Sequence, residues 1–249
     1  MHVNARMHSS LYSGTWKGEV IKAIMMHGRP LRWGELQNAT SLEEKSLNYA
    51  LYELINSEEI HKVGKKYDVS KKICADYNKF FNLRKIELTS WINQWKKVRK
   101  LDFSLEHEHF FLEGRHLDDF SKELISHAKS EVLVINPFIQ HCDLSNTLRE
   151  VRKEGIEVQI ITRPPYDKHP EYLKSKEEYH AKLKQDGISV FHKKKVHAKL
   201  LVVDRAVAIA SSMNFYPDSS AGVSWEAGLV SIDPNVVKSM VQSALSALT

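Results

Sequence analysis

The chain has 249 residues, with 36 lysines and arginines against 31 acids, a formal net charge of +5 and a pI of about 9.0. A hydrophobic share of 42% and a charged share of 27% exclude a disordered polyelectrolyte, and no apolar run nears the roughly 20 residues of a bilayer span. The only cysteines, Cys74 and Cys142, stand in unrelated segments, which excludes a disulfide framework or a Cys-x-x-Cys metal pair. Met1–Tyr12 is a polar tail without the apolar stretch of a signal peptide, so the expected location is cytoplasmic, and the basic excess favours anionic partners.

From residue 13 to 77 the pattern predicts three helices and a hairpin. Val20, Ile21, Ile24 and Met25 give Glu19–His27 a helical face, stopped by Gly28-Arg29-Pro30. Leu31–Asn38 reads as a second helix, and Thr40 or Ser41 as the cap of a third with Glu43 and Glu44 in its first turn. That third helix carries Leu47, Ala50, Leu51, Leu54 and Ile55 as one buried stripe. Two short alternating runs around Gly64 follow. Three helices and a hairpin are the order of a winged helix-turn-helix, whose wing would offer Lys62, Lys65 and Lys66 to phosphates, with His61, Lys71 and Lys72 nearby. The exposed face of the third helix (Glu43, Glu44, Lys45, Asn48, Tyr52) is more acidic than a strong DNA reader, so protein contact stands as the alternative for this domain.

Residues 78–104 read as a connecting helix with Leu88, Trp91, Ile92, Trp95 and Val98 or Arg99 at helical spacing and a basic opposite side. The tryptophans suit packing, or else a dimer seam. His107-Glu-His109 lacks further ligands and reads as surface, so no metal is expected. Over residues 105–249 helix and strand alternate: helix Leu117–Ala128, strand Glu131–Ile139, helix Leu144–Arg152, strand Val158–Thr162, helix Ser175–Gln185, strand Ile188–His192, a hairpin, strand Trp225–Ile232 and helix Val236–Leu248. The expected class is α/β, a mixed sheet flanked by helices. Arg163–Pro170 is a stiff polar loop at a strand end, where ligand sites commonly lie. Lys193, Lys194 and Lys195 run into His197 as a candidate polyanion track.

The hairpin carries the chemistry. His197, Lys199, Asp204, Ser212 and Asn214 follow the spacing His-x-Lys-(x4)-Asp-(x7)-Ser-x-Asn, with Glu226 beyond. Chance placement of five specified residues is on the order of one in a million per starting position. Strand alternation points His197 and Lys199 the same way, and a turn at Val203–Ala206 brings Ser211–Asn214 beside them. A neutral imidazole can attack phosphorus, Lys199 can hold the non-bridging oxygens, and Ser212 and Asn214 can donate to them. Glu226 is expected to accept from the other ring nitrogen of His197. Asp204 has the wrong parity and reads as a supporting residue at the turn.

These residues resemble the HKD motif of the phospholipase D superfamily, usually written His-x-Lys-(x4)-Asp-(x6)-Gly-Ser-x-Asn. The likeness extends from Leu105 to Thr249, including Val132–Ile139 as the first core strand and its loop. Ser211 replaces the family's glycine, and Trp225 precedes Glu226 where small or amide residues are usual. The resemblance implies a phosphohistidine intermediate, no metal or other cofactor, and a second His that protonates the leaving oxygen. Only one motif is present, so it also implies a homodimer with one composite site. His180, His192 and His169 are the in-chain alternatives for the acid. The leading expectation is a metal-independent nuclease acting on DNA ahead of RNA. The alternatives are a non-catalytic DNA-binding transcriptional regulator and a phospholipase or small-phosphodiester hydrolase.

Overall fold

The computed structural model describes residues 15–40, 42–220 and 223–246; the tail expected over 1–12 and the candidate cap Ser41 lie outside them. Two compact units divide the chain, Met1–Asn82 and Leu83–Thr249.

In the first unit, α1 (Trp16–His27) begins where the Thr15 side chain accepts from the Gly18 N–H (3.0 Å) and ends at Gly28, whose φ of 60° suits a residue without Cβ. The helix expected from Leu31 starts later. Leu31 and Arg32 form β1 (Leu31–Arg32), and α2 (Trp33–Thr40) follows once Glu35 accepts from the Arg32 N–H at 2.7 Å. In α3 (Glu44–Asn56), Leu47, Ala50, Leu51 and Leu54 are buried as the period predicts, but Ile55 is 40% exposed. Glu43 rather than Thr40 occupies the N-cap, with no side-chain bond, because the Thr40 hydroxyl turns back to the Leu36 carbonyl (2.8 Å). The hairpin β2 (Ile60–Val63) and β3 (Lys66–Val69) turns at Gly64, φ 63°, and β3 also pairs with β1.

The long helix α4 (Lys71–Val98) begins earlier than expected. Ile73 and Tyr77 join the first core, while Leu88, Ile92 and Trp95 join the second. Trp91 stacks on Phe120 (5.3 Å) and Trp95 meets it edge-on (4.9 Å), so both tryptophans pack inside the fold. Val98 is exposed, and the Arg99 guanidinium lies over the Trp95 ring instead.

The second unit runs β4 (His109–Glu113), α5 (Gly114–Ser126), β5 (Glu131–Ile135), α6 (Asp143–Lys153), β6 (Glu157–Thr162), α7 (Pro170–Gln185), β7 (Ser189–His192), β8 (Leu200–Val203), β9 (Val207–Ser211), α8 (Pro217–Ser220), β10 (Ala227–Ser231) and α9 (Pro234–Ser246). Its seven strands lie in the order β4-β10-β9-β8-β5-β6-β7. β5, β6 and β7 are parallel; β8, β9, β10 and β4 join antiparallel. β5 is buried on both faces, which explains its unbroken apolar run. Residues of α5 and α6 cover one face through Leu117, Phe120, Leu124, Leu144 and Leu148. No helix among the described residues is long and apolar enough to cross a membrane.

At the β8–β9 turn, closed by the Ala206 N–H on the Val203 carbonyl (3.0 Å), Asp204 and Arg205 both take positive φ, 49° and 48°. Such a backbone fits the twist of a tight hairpin but strains residues with a Cβ, by about 1–3 kcal/mol each. Tertiary bonds hold it. Fully buried Asp204 accepts from the N–H groups of Lys129 (2.9 Å), Ser130 (2.8 Å) and Glu131 (3.0 Å) and from Arg84 Nε (2.8 Å). Arg205 donates to Glu131 at 2.6 Å. Asp204→Ala therefore leaves three amide donors unpaired and takes one partner from the buried Arg84 guanidinium, which keeps Glu87 and the His127 carbonyl. It should cost about 3–5 kcal/mol in urea denaturation. A loss under about 1 kcal/mol would contradict the clamp.

Candidate active site

The site is built at one edge of the large sheet. β5 and β6 end there at Ile135 and Thr162, β9 ends there at Ser211, and β8 and β10 begin there at Leu200 and Ala227. His197 and Lys199 lie in the extended lead-in to β8 rather than in the strand itself. The ladder continues one step, with the Ser211 N–H on the Lys199 carbonyl (3.1 Å), which sets Lys199 beside Ser211. His197 is exposed and its ring makes no hydrogen bond to any described residue; Lys199 is half-buried, its ammonium reaching only the His197 carbonyl at 3.3 Å.

Alternation survives past the end of β9. Met213 and Phe215 turn into the core, leaving Ser212 exposed and Asn214 half-buried. The Asn214 carboxamide oxygen is buried without a partner. The side chain stands beside an exposed imidazole and a lysine, where its Nδ2 group, and not this oxygen, is of the kind that can donate to an anion. The family's missing glycine has a counterpart across the ladder. Gly228 pairs with Ser211, and a Cβ on it would come within 3.0 Å of the Ser211 Cβ. The close approach is thus kept, with the small residue on β10.

Glu226 departs from expectation. Its buried carboxylate accepts from the hydroxyls of Ser212 and Ser219 (2.7 Å for Ser219), and no bond joins it to His197. Ser212 in turn accepts from the Ala227 N–H (3.1 Å). Glu226 thereby fixes Ser212 instead of orienting the imidazole, because β10 enters beside β9 and not beside the lead-in to β8. Ser219, on the short α8, carried no sequence signal: only the tertiary fold brings it to Glu226. Asp204 is also removed from the reacting groups. It stands at the opposite edge, seven residues on from His197, about 20 Å along an extended strand.

The candidate lysines differ in exposure. Lys194 and Lys195 are exposed in the turn after β7, and Lys193 is half-buried. In the first unit Lys62 and Lys65 are exposed at the tip of the β2–β3 hairpin, and Lys66, which opens β3, is half-buried. Arg163, unmarked by spacing, donates from Nε to the Val196 carbonyl at 2.6 Å and so braces the residue before His197.

Of the in-chain acid candidates, His180 and His192 are engaged with each other, while the ring of exposed His169 meets only that of Tyr172, at 5.7 Å. His180 is 5% exposed; its Nε2 meets the Ile139 carbonyl (3.1 Å) and its Nδ1 meets His192 Nε2 (3.0 Å). A carbonyl only accepts, so Nε2 carries the His180 proton and His192 donates to Nδ1. Burial pushes the pKa of both rings down. Depressed folded values mean that their contribution to stability is complete above the ordinary 6.5 and is lost as pH falls through the lower folded values. The melting temperature should therefore decline as pH falls below the ordinary 6.5, and less steeply in His192→Gln, whose amide can still donate to His180. Equal slopes in scanning calorimetry would contradict this.

A family model described as cardiolipin synthase, PLD-like domain, matches residues 122–246. No curated protein sequence matches the chain. Among solved structures, Nuc from Salmonella typhimurium, a phospholipase D family member, aligns at 16% identity over 56% of this chain and 94% of that one, with a TM-score of 0.49. NucT from Helicobacter pylori aligns at 18% over 56% and 96%, TM-score 0.45. TrmBL2, an archaeal chromatin protein, aligns at 13% over 93% and 90%, TM-score 0.42. The matched span holds every sheet-edge group described above, from the Asn136 loop to Glu226, and takes in half of the chain: it belongs to the phospholipase D superfamily.

Proposed function

We propose that the protein is a metal-independent nuclease, acting on DNA ahead of RNA, and that it works as a homodimer with a phosphohistidine intermediate. The observation that carries this reading is the sheet edge where an unbonded, exposed His197 stands with Lys199 and the half-buried carboxamide of Asn214. Lys199 and Asn214 stabilise the charge that gathers on the non-bridging oxygens as the imidazole attacks phosphorus. The P–O bond to the leaving group breaks as the N–P bond forms. His197 of the partner subunit gives its proton to the departing oxygen. Water then attacks the phosphohistidine, its proton passing to that same partner imidazole, and free His197 is regenerated. Ser212 gives its one hydroxyl proton to Glu226, so it braces the end of β9 instead of donating to the phosphate as the sequence predicts.

Two observations support the composite site. His180 and His192 bond each other, and His180 is buried, so neither offers a free proton to a leaving group. Trp225 and Val223, beside Glu226, are 72% and 76% exposed, apolar surface at the site's rim of the kind a second protomer covers. Nucleic acid as substrate draws support from Lys194 and Lys195 next to His197, and from the first unit's helix–strand–helix–helix–hairpin order, which is that of a winged helix with exposed Lys62 and Lys65 at its tip.

The expected outcome is cleavage of oligonucleotides in excess EDTA. His197→Ala should lower kcat/KM at least about a thousandfold, and Lys199→Ala about a hundredfold or more. Glu226→Gln, acting through Ser212, should cost less than either. Equal cutting by wild type and His197→Ala, or turnover that EDTA abolishes, would overturn the proposal.

A further inference from the structure

Outside the motif, a cleft of about 360 Å³ lies on the same sheet edge. Its walls are the loops that leave β5 and β6, and the turn that leads from β7 to His197. Pro137, Pro164 and Pro165 stiffen two of them. Two aromatic rings stand in this wall with much of their surface in solvent, Phe138 at 44% and Tyr166 at 74%. The cations lining it are Arg163, Lys176 and Lys194, and no carboxylate lines it. Lys176 is already neutralised by Asp167 (2.7 Å), whose pKa it holds down, which leaves Arg163 and Lys194 for an anion. The Arg163 guanidinium spends Nε on the Val196 carbonyl, sits 5.7 Å from the Phe138 ring centre and lines the cleft.

The cleft is bonded to both strands of the motif. Arg163 ties it to Val196, one residue before His197. Asn136 donates to the Met213 carbonyl (3.0 Å), and the Gln140 N–H to that of Phe215 (2.8 Å), on either side of Asn214. A polymer leaving the His197–Asn214 site in this direction meets an aromatic-walled, cationic slot within a residue or two. Flat apolar faces next to fixed cations are what a nucleobase and its phosphate require.

We propose that this cleft is a subsite for one unpaired nucleotide adjacent to the scissile phosphate, its base against Phe138 and Tyr166 and its phosphate on Arg163 and Lys194. The proposal rests on the nuclease reading and narrows it: bases stacked inside a duplex cannot enter, so the substrate is single-stranded or frayed.

Full-length protein carrying His197→Ala, which binds without cutting, tests it with a labelled oligothymidine, the same strand in duplex form, and a single strand bearing 2-aminopurine. The single strand should bind about tenfold or more tightly than the duplex, and stacking should quench the 2-aminopurine. Adding Phe138→Ala with Tyr166→Ala should weaken single-strand binding about tenfold or more and remove the quench, with the melting temperature unchanged. In the cleaving background, hydrolysis of bis(p-nitrophenyl) phosphate, a diester without bases, should stay at the wild-type rate. Undiminished binding or persistent quenching in the double variant overturns the subsite while the nuclease reading stands, provided that small diester is still hydrolysed through His197. Hydrolysis of neither nucleic acid nor the small diester by wild type overturns the nuclease reading and the subsite with it.

Discussion

Asp204 and the groups that surround it fix where everything at the other edge of the sheet can be. A carboxylate with no exposure to water is tolerable only if its charge is answered, and here three backbone amides at the start of β5 and the Arg84 guanidinium answer it. The turn that carries it is forced into positive φ at two residues with side chains, a conformation the chain would leave if those bonds were cut. Pinning the turn sets the register of β8 against β5 and β9, and a one-residue slip would turn His197 and Lys199 to the opposite face. Its contribution is structural: it holds the turn.

At the reactive edge the fold separates groups that are satisfied from groups that are not. Glu226, Ser212, Ser219 and Ala227 close on one another, and His180, His192 and Ile139 do the same. His197 and Asn214 are left over. At this edge the exposed imidazole and the half-buried Asn214 carboxamide are side chains that no described residue bonds, although unpaired buried atoms also occur elsewhere, at Gln159 and Thr162 among others. Preorganised donors need no rearrangement as charge develops, and that is where such a site gains rate.

Much of this was legible in the sequence because it is local. The spacing of His197, Lys199, Ser212 and Asn214, the turn at Val203–Ala206 and the alternation of Met213 and Phe215 against Ser212 and Asn214 all follow from strand periodicity and one reversal. The α3 stripe did likewise, except for Ile55, which lies at its solvent end. What could not be read depends on partners remote in sequence. β1 is two residues long and exists only by pairing with β3; β4 exists by pairing with β10, more than a hundred residues on. The sequence predicts that Glu226 accepts from His197, but its partner depends on which strand β10 lies beside. The aromatic cleft is assembled from three loops with no common motif, and Arg163 gained its role only when its bond to Val196 came into view.

The central claim is that two copies of His197 act on one phosphate, one as nucleophile and one as acid. Wild-type and His197→Ala chains, refolded together at varied ratios so that protomers mix at random, measure this directly. A site that requires both imidazoles loses activity as the square of the wild-type fraction, because every mixed dimer is dead. Activity falling in simple proportion to the wild-type fraction would mean that each chain works alone, and would contradict the account.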